Sequence, residues 1–281
     1  MEKKRIIVSD SSANLLTGDL DNFVSVPMKI VAGDREFVDD EKLCKEEMLE
    51  YLKNYKGHSG SACPGVGEWL EAFGDADEVF AIAITSHLSG SYNAACVAKA
   101  SYQEQHPDRK VFVLDSLSAG PEPELIIEKY RTLINSGLSF DEIQEEITKY
   151  SKCTLLLFSL ESLSNFAKNG RVKPAVAAIT SILGIRLVGR ASVDGELEPL
   201  HKCRGEKKAI RQIFDSMKES GFTGGKVRIS HTMNKAAADT LADMIRAEFP
   251  ECDIKIRANK GLCCFYAEPG GFLVGFEGKG L

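Results

Sequence analysis

Short apolar runs alternate with helix-like segments along the first half of the chain. The runs Arg5–Val8, Glu78–Ile84 and Lys110–Leu114 have the length and the Val, Ile and Phe content of buried strands. Segments of helical composition lie between or after them: Lys45–Leu52, Val66–Phe73, Ser91–Tyr102, Pro123–Asn135 and Phe140–Tyr150. Because strands joined by helices pair in parallel through crossover connections, this half predicts a parallel sheet.

The second half has a different rhythm. Leu187–Ser192 and Leu197–Lys202 flank Asp194-Gly195, a tight-turn signal that predicts a hairpin. Four more segments are strand-like: Leu155–Leu157, Lys226–Ser230, Ile254–Arg257 and Phe272–Phe276. Four are helix-like: Leu160–Asn169, Ala175–Leu183, Lys207–Ser220 and Lys235–Phe249. This half therefore predicts a mixed sheet with helices on one face, and the change of rhythm puts a domain boundary near Tyr150–Thr154.

Hydroxyl and acidic side chains follow the predicted strands of the first half, at Asp10–Ser12, Thr85–Ser91 and Asp115–Ser118. A glycine-rich and serine-rich segment, Gly57–Gly65, is expected to be a loop. Ligands of open α/β sheets bind beyond the C-terminal ends of the strands, where helix N-termini offer free N–H groups and partial positive charge. We therefore expect an anionic or carbonyl-bearing ligand at this edge; the alternative is that these residues are only helix caps and turns.

Composition limits the class of partner. The 281 residues are enough for two domains, and 35 basic against 41 acidic residues give a net charge of −6. That balance argues against nucleic acid or an anionic membrane as the main partner. The longest apolar runs, Val79–Ile84 and Thr154–Phe158, are far shorter than the ~18–20 residues of a membrane helix. The charged start is not a secretory signal, so we expect a cytoplasmic protein without stable membrane insertion.

Motifs of familiar enzyme chemistry are missing from the sequence. There is no P-loop and no G-x-S-x-G elbow, and the turn after the first strand, Asp10–Ala13, lacks the glycines of a dinucleotide fingerprint. The eight cysteines include no C-x-x-C pair, and the five histidines lack metal-ligand spacing. We therefore expect no metal, no cofactor and no catalytic residue, with most thiols packed as small apolar groups.

Several short motifs occur in a fixed order along nearly the whole chain. They are Ile7–Leu15, Ser61–Trp69, Leu88–Ala95, Asp115-Ser116, Leu160–Val172 with Asn169-Gly170-Arg171-Val172, Leu197–Ala209, and Pro269-Gly270-Gly271. Each motif is short, but the series resembles the DegV family of fatty-acid-binding proteins. Within it, Leu88–Tyr92 is similar to the family's Leu-Ser-Gly-Thr-Tyr motif, and Ser61–Gly65 to an altered form of its Thr-Ser-Gln-Pro-Ser loop.

The resemblance implies a fold and a function. It implies an α/β protein with an N-terminal three-layer domain (residues 1–152) built on a parallel sheet and a C-terminal two-layer domain (153–281) built on a mixed sheet. A long-chain fatty acid such as palmitate, stearate or oleate would lie in a tunnel between them. Such a protein is a carrier and not an enzyme, and some members present the acid to a separate dihydroxyacetone-kinase-like fatty-acid kinase subunit. We expect a monomer or weak dimer.

Matching the motifs position by position implies a head-group site. The family's two carboxylate-binding hydroxyls fall on Ser61 and Ser89, and a family arginine near the head group or the kinase contact falls on Arg171. The full set of expected ligand-binding residues is Ser61, Ala62, Ser89, Gly90, Ser91, Arg171 and Tyr266. A second group is expected nearby: Ser11, Ser12, Ser116, His231 and Gly270.

A bound carboxylate needs charge-assisted hydrogen bonds, because its dehydration otherwise costs several kcal/mol. Two hydroxyls and loop N–H groups would supply them. At ~0.8 kcal/mol per methylene, about fourteen methylenes give a gross ~11 kcal/mol. The costs of association remove much of this, which leaves an expected affinity in the micromolar range or tighter.

The sequence departs from the family pattern at the same site. Ala62, Cys63 and Gly65 stand where the family has Ser, Gln and Ser, and Tyr266 stands where a histidine is common. Tyr266 would replace that histidine as a neutral donor, or the site would differ. Two other functions stay open: a hydrolase or transferase of a small acid or phosphate, and a regulatory module without lipid.

The enzyme alternative has few parts available. Its nucleophile would be Ser11 or Ser89, paired with His87 or His231. Asp10 resembles a phosphatase nucleophile at a strand end, but Ser12 occupies the place of the second acidic residue. We therefore expect the binding function.

Overall fold

The computed structural model describes residues 3–181 and 183–279, which hold thirteen strands and ten α-helices. The strands are β1 (Arg5–Asp10), β2 (Phe23–Val26), β3 (Lys29–Ala32), β4 (Arg35–Val38), β5 (Ser59–Ala62), β6 (Glu78–Ala83), β7 (Lys110–Asp115), β8 (Thr154–Leu160), β9 (Ile185–Ala191), β10 (Leu197–Arg204), β11 (Lys226–His231), β12 (Asp253–Ala258) and β13 (Phe272–Glu277). The helices are α1 (Lys45–Asn54), α2 (Val66–Phe73), α3 (Ser91–Gln105), α4 (Pro121–Asn135), α5 (Phe140–Tyr150), α6 (Ser164–Lys168), α7 (Pro174–Ala177), α8 (Glu206–Glu219), α9 (Lys235–Glu248) and α10 (Gly261–Ala267).

The first half forms the predicted parallel sheet, with strand order β2-β1-β6-β7. Strand β6 is buried along its whole length, which shows that both faces of this sheet are covered. On one face Phe80 stacks on Phe140 of α5 and contacts Tyr130 of α4. On the other face Val79 and Ala81 pack with α2 and α3 around Trp69. Three layers follow, as expected for a parallel sheet whose two faces are both apolar.

The second half forms a six-stranded mixed sheet, with order β10-β9-β8-β13-β11-β12. The hairpin expected around Asp194-Gly195 is confirmed, since β9 and β10 pair antiparallel. Helices α8 and α9 cover one face with an apolar core. Part of the opposite face meets α4, which comes from the first half of the chain. That helix therefore lies between the two sheets and joins them.

Four short strands were not expected from the sequence: β2, at the edge of the parallel sheet, and β3, β4 and β5. Residues 57–65, predicted to be a loop, contain β5, which pairs with β3 in an antiparallel sheet of order β4-β3-β5. The prediction was wrong because Ser-Gly-Ser-Ala has little intrinsic strand preference, and pairing with β3 supplies the structure. Each strand of this sheet has only four residues, too few for a clear alternating pattern.

Two predicted helices of the second half are shorter than expected. The segment Leu160–Asn169 is helical only at α6, because its first residue still belongs to β8. The segment Ala175–Leu183 divides into α7 and a 3-10 turn over Ala178–Ser181. Ile182, within that predicted helix, lies outside the described residues.

The predicted domain boundary at residues 152/153 coincides with the step from α5 to β8. Every strand of the six-stranded sheet comes after it. Two helices cross the division: α4 packs on the second sheet, and α10 returns to β3 and α1, where Phe265 packs with Ile30 and Met48. The division into residues 1–152 and 153–281 stays a prediction.

Candidate functional site

An apolar cavity of about 340 Å³ lies where the six-stranded sheet, α10 and the loops of the first half meet. Alternation along β8 explains one wall, because successive side chains of a strand point to opposite faces. Leu156, Phe158 and Leu160 line the cavity, whereas Leu155 and Leu157 belong to the core under α8 and α9. Opposite them, α10 contributes Leu262, Cys263, Tyr266 and Ala267. The cavity volume falls within the ~300–1,000 Å³ usual for small-molecule pockets.

The cavity has a polar rim at one side. Ser61 of β5 and Tyr266 of α10, which are far apart in sequence, share a hydrogen bond of 2.8 Å between their hydroxyl oxygens. Arg171 reaches the same rim, where its Nε donates to the carbonyl of Leu88 at 3.1 Å. Six of the expected ligand-binding residues line this cavity: Ser61, Ala62, Ser89, Gly90, Arg171 and Tyr266.

The first residues of α3 form part of the same rim. Gly90 precedes a helix of 15 residues and provides no side-chain cap, so backbone N–H groups at this end lack a side-chain acceptor from the cap position. The Ser89 hydroxyl accepts from the N–H of Ser91 at 3.3 Å. The partial positive charge of the helix N-terminus favours an anion here.

Ser91 itself does not line the cavity. Its hydroxyl donates at 2.6 Å to Asp10, which is buried at the end of β1. Asp10 also accepts from the N–H of Ile84 at 3.0 Å and from the Ser12 hydroxyl. Burial raises the pKa of Asp10, against the opposing effect of these hydrogen bonds. Asp10 therefore ties β1 to the start of α3, and both Ser91 and Ser12 belong to this link.

Ser11 belongs to a second buried link. Its hydroxyl donates to Asp39 at 2.8 Å, and Asp39 accepts the N–H groups of Gly261 at 2.6 Å and Leu262 at 2.9 Å. Asp39 thus caps α10, the helix that carries Tyr266. Burial raises the pKa of Asp39 to about 6, although its hydrogen bonds act in the opposite direction. No local pattern indicates this role, because Asp39 follows β4 in what resembles a polar turn.

The remaining expected residues do not line the cavity themselves. Ser116 donates to the carbonyl of Ser118 at 3.0 Å. His231 accepts from the N–H of Asn234 at 3.3 Å, and burial lowers its pKa. The carbonyl of Gly270 accepts from Arg186 at 2.9 Å and from Asn234 at 2.8 Å. These three residues therefore lie in structural hydrogen-bond networks.

The tip of the β9–β10 hairpin also borders the cavity, which sequence reasoning missed. Thr85 donates from its hydroxyl to the carbonyl of Gly195 at 3.0 Å. Gly195 has a φ of +80°, and a Cβ there would lie 2.1 Å from the Thr85 hydroxyl oxygen. Only glycine allows this approach. The Asp-Gly signal predicted the turn, but nothing local indicated its long-range contact.

A nucleophile paired with a base is not assembled in residues 3–181 and 183–279. No serine hydroxyl there is hydrogen-bonded to a histidine ring, and neither His87 nor His231 lines the cavity. The same residues contain no cluster of three or more His, Cys, Asp or Glu side chains that could hold a metal ion. Across this described part of the chain, no helix has the length and apolar character needed to cross a membrane.

Comparison with known proteins gives close relatives over almost the full length. A family model described as "Uncharacterised protein, DegV family" matches residues 4–279. A DegV domain-containing protein of Streptococcus pneumoniae (strain ATCC BAA-255 / R6) is 45% identical over 255 residues, which cover 91% of each chain.

Solved structures agree with this chain in fold. A DegV family protein from Eubacterium eligens, loaded with heptadecanoic acid, has a TM-score of 0.94 and 43% identity, covering 98% of this chain and 100% of that one. The Streptococcus pneumoniae Fatty Acid Kinase (Fak) B3 protein, loaded with linoleic acid, has a TM-score of 0.95 and 43% identity, covering 98% and 99%.

Proposed function

This chain belongs to the DegV family, and we propose that it binds one long-chain fatty acid in the cavity between the six-stranded sheet, α10 and the loops of the first half. The observation that carries the proposal is the distribution of polar and apolar groups around that cavity. Leucine and phenylalanine side chains form the walls, whereas hydroxyls, a guanidinium and a helix N-terminus form one rim. A fatty acid has the same division between an apolar tail and a charged head.

The rim provides suitable donors for a carboxylate. Ser89 and Ser61 would each donate a hydroxyl hydrogen bond, and Tyr266 would orient Ser61 through the 2.8 Å bond between their oxygens or donate directly. Arg171 would add positive charge at the exposed side. A carboxylate held by several such donors keeps most of the stabilisation that it has in water. Ala62 and Gly90 would offer backbone groups, and their small size would let the carboxylate approach the backbone closely.

The apolar walls would bind the tail. Leu156, Phe158, Leu160 and Leu273 form a continuous apolar surface on β8 and β13. Each methylene transferred from water onto such a surface contributes ~0.8 kcal/mol before the costs of binding are subtracted. Palmitate, stearate and oleate are the expected ligands, and the relatives from Eubacterium eligens and Streptococcus pneumoniae were crystallised with heptadecanoic and linoleic acid.

We further propose that the protein is a carrier that presents its acid to a separate fatty-acid kinase. The similarity to the Fatty Acid Kinase (Fak) B3 protein supports this role. The geometry of the rim is compatible with it, because Cys63, Gly90 and Arg171 are solvent-exposed beside the proposed head-group site. Because a kinase uses ATP, we place this carrier in the cytoplasm. We expect it to be a monomer or weak dimer.

Calorimetric titration of delipidated protein tests the binding function. Palmitate should bind in the micromolar range or tighter, whereas methyl palmitate, which has the same tail and no charge, should bind at least tenfold more weakly. Equal binding of both ligands would overturn the head-group assignment. Binding of neither would overturn the proposed function.

A reconstituted reaction tests the carrier role. Protein loaded with palmitate, mixed with a dihydroxyacetone-kinase-like fatty-acid kinase subunit and ATP, should yield acyl phosphate. The protein without the kinase should yield none. Acyl phosphate formed by this chain alone would show an enzyme, and its absence from the complete mixture would contradict the kinase partnership.

A further inference from the structure

Glu268 has a backbone conformation that favours glycine. It ends α10 with φ 54° and ψ 165°, and its N–H donates to the carbonyl of Cys264 at 3.1 Å. Pro269 follows and favours the extended ψ, and the N–H of Gly271 closes a turn onto the Glu268 carbonyl at 3.1 Å. A positive φ is unfavourable for a residue with a side chain. Such strain persists only where surrounding contacts hold the residue in that conformation.

The Glu268 side chain makes contacts of that kind. One carboxylate oxygen, Oε1, accepts from the Ser162 hydroxyl at 2.8 Å and from the N–H of Asn165 at 3.2 Å. Asn165 lies in the first turn of α6, and Leu163, at the cap position of that helix, provides no side-chain cap. Before α6, the Ser162 hydroxyl accepts from the N–H of Ser164 at 3.1 Å, and Glu268 supplies, from the end of α10, the acceptor for the next N–H, that of Asn165.

Helix α6 is connected to the rim of the cavity at three points. The ring of Phe166 lies 4.7 Å from that of Tyr266, centroid to centroid, and lines the cavity. Asn169 donates to the carbonyl of Ser59 at 3.1 Å, on the strand that carries Ser61. Arg171 follows the helix and reaches Leu88. The position of α6 thus affects each part of the proposed head-group site.

We propose that Glu268 is a positioning residue for the fatty-acid site: its carboxylate fixes α6 against α10, and so fixes Phe166, Ser61 and Arg171 around the acid. This inference rests on the proposed fatty-acid binding. Glycine at position 268 would relieve the backbone strain and lose the anchor. Alanine would lose the anchor and keep the strain, whereas glutamine would keep a side-chain oxygen that can accept both hydrogen bonds.

These three substitutions separate positioning from stability. We would measure palmitate affinity by calorimetry, the thermal midpoint of the ligand-free protein, and amide hydrogen exchange of residues 164–168. Both Glu268→Gly and Glu268→Ala should weaken palmitate binding about tenfold and speed exchange in α6. Glu268→Gly should unfold at a higher temperature than Glu268→Ala, because only glycine relaxes the positive φ. Glu268→Gln should bind palmitate within about twofold of the parent.

The outcomes distinguish this inference from the proposed function. If the parent protein binds palmitate and Glu268→Gly binds it equally well, the positioning role is wrong. If affinity follows thermal stability, so that Glu268→Ala binds much more weakly than Glu268→Gly, Glu268 acts only through stability and the inference is overturned. If the parent itself fails to bind palmitate, the proposed function fails first.

Discussion

Two residues at the cavity rim, Ser61 and Tyr266, differ from the family pattern that the sequence resembles, and both present hydroxyl groups. Ser61 keeps a hydroxyl where the resemblance implies threonine, and Tyr266 replaces the common histidine. The two are hydrogen-bonded to each other at 2.8 Å. A tyrosine hydroxyl can donate and accept, so the pair can offer one O–H to a carboxylate while keeping its internal bond. The replacement therefore supports a neutral donor at this position.

The Ser89→Ala variant tests the head-group site directly. The bound carboxylate would lose one donor, and hydrogen bonds to charged groups contribute about 1–3 kcal/mol, so palmitate affinity should fall by roughly five- to 150-fold. Calorimetry with palmitate measures this change. Ser86→Ala, an exposed serine of the same loop, is the matched control and should bind like the parent. Equal affinity of Ser89→Ala and the control would remove Ser89 from the site.

At the scale of elements, carboxylates of α4 link this helix to the six-stranded sheet. Glu128 accepts hydrogen bonds from Arg228 and Lys255 of the second sheet. Burial alone would raise the pKa of Glu128, but these bonds outweigh it and lower the pKa to about 2. Glu122, in the first turn of the same helix, accepts from the Thr154 hydroxyl at 2.9 Å, and burial raises its pKa to about 7, against the opposing effect of hydrogen bonding.

Glu122 gives the stability of the protein a predictable pH dependence. Its folded-state pKa of about 7 exceeds the ordinary 4.5, so the folded state holds the proton more tightly than the unfolded state. This contribution is complete below pH ~4.5 and is lost as the pH rises through 7, by about 3 kcal/mol in all.

The Glu122→Gln variant isolates this effect. Glutamine keeps an acceptor for Thr154 and cannot ionise. Between pH 5 and pH 8 the unfolding free energy of the parent should therefore fall by about 2–3 kcal/mol more than that of the variant. Urea denaturation of both ligand-free proteins at the two pH values provides the measurement. An identical fall in both would show that Glu122 does not ionise in this range.

For the whole molecule, the sequence predicted the elements with strong periodicity. The segments Phe140–Tyr150 and Lys110–Leu114 match α5 and β7 closely, because their apolar spacing continues over several residues. The four-residue strands β2 to β5 and the apolar helix α10 gave no such signal. Their structure depends on pairing and packing with distant residues, which local patterns do not contain.

The site was predictable to a different extent. Resemblance identified Ser61, Ser89, Arg171 and Tyr266, and all four line the cavity. The sequence did not indicate the residues whose hydrogen bonds hold the surrounding elements in place. Asp39 contacts α10 across more than two hundred residues, and Glu268 contacts α6 across about one hundred. Short motifs mark the surface of a site, whereas its supports depend on the complete fold.

The length of the bound acid should depend on the space inside the cavity. Ala191 of β9 lines the cavity and packs with the apolar wall. In Ala191→Phe the added ring would occupy tail volume, so the ratio of laurate to stearate affinity should rise at least tenfold. Val193→Phe, on the exposed hairpin tip, is the control and should keep the parent's ratio. An unchanged ratio in Ala191→Phe would place the tail elsewhere.

We expect this protein to carry one long-chain fatty acid. Mass spectrometry of an organic extract, from protein purified without detergent, tests it most directly. We expect about one long-chain acid per chain, with palmitate, stearate or oleate dominant. An extract without long-chain acid, together with no thermal stabilisation when such acids are added, would contradict it.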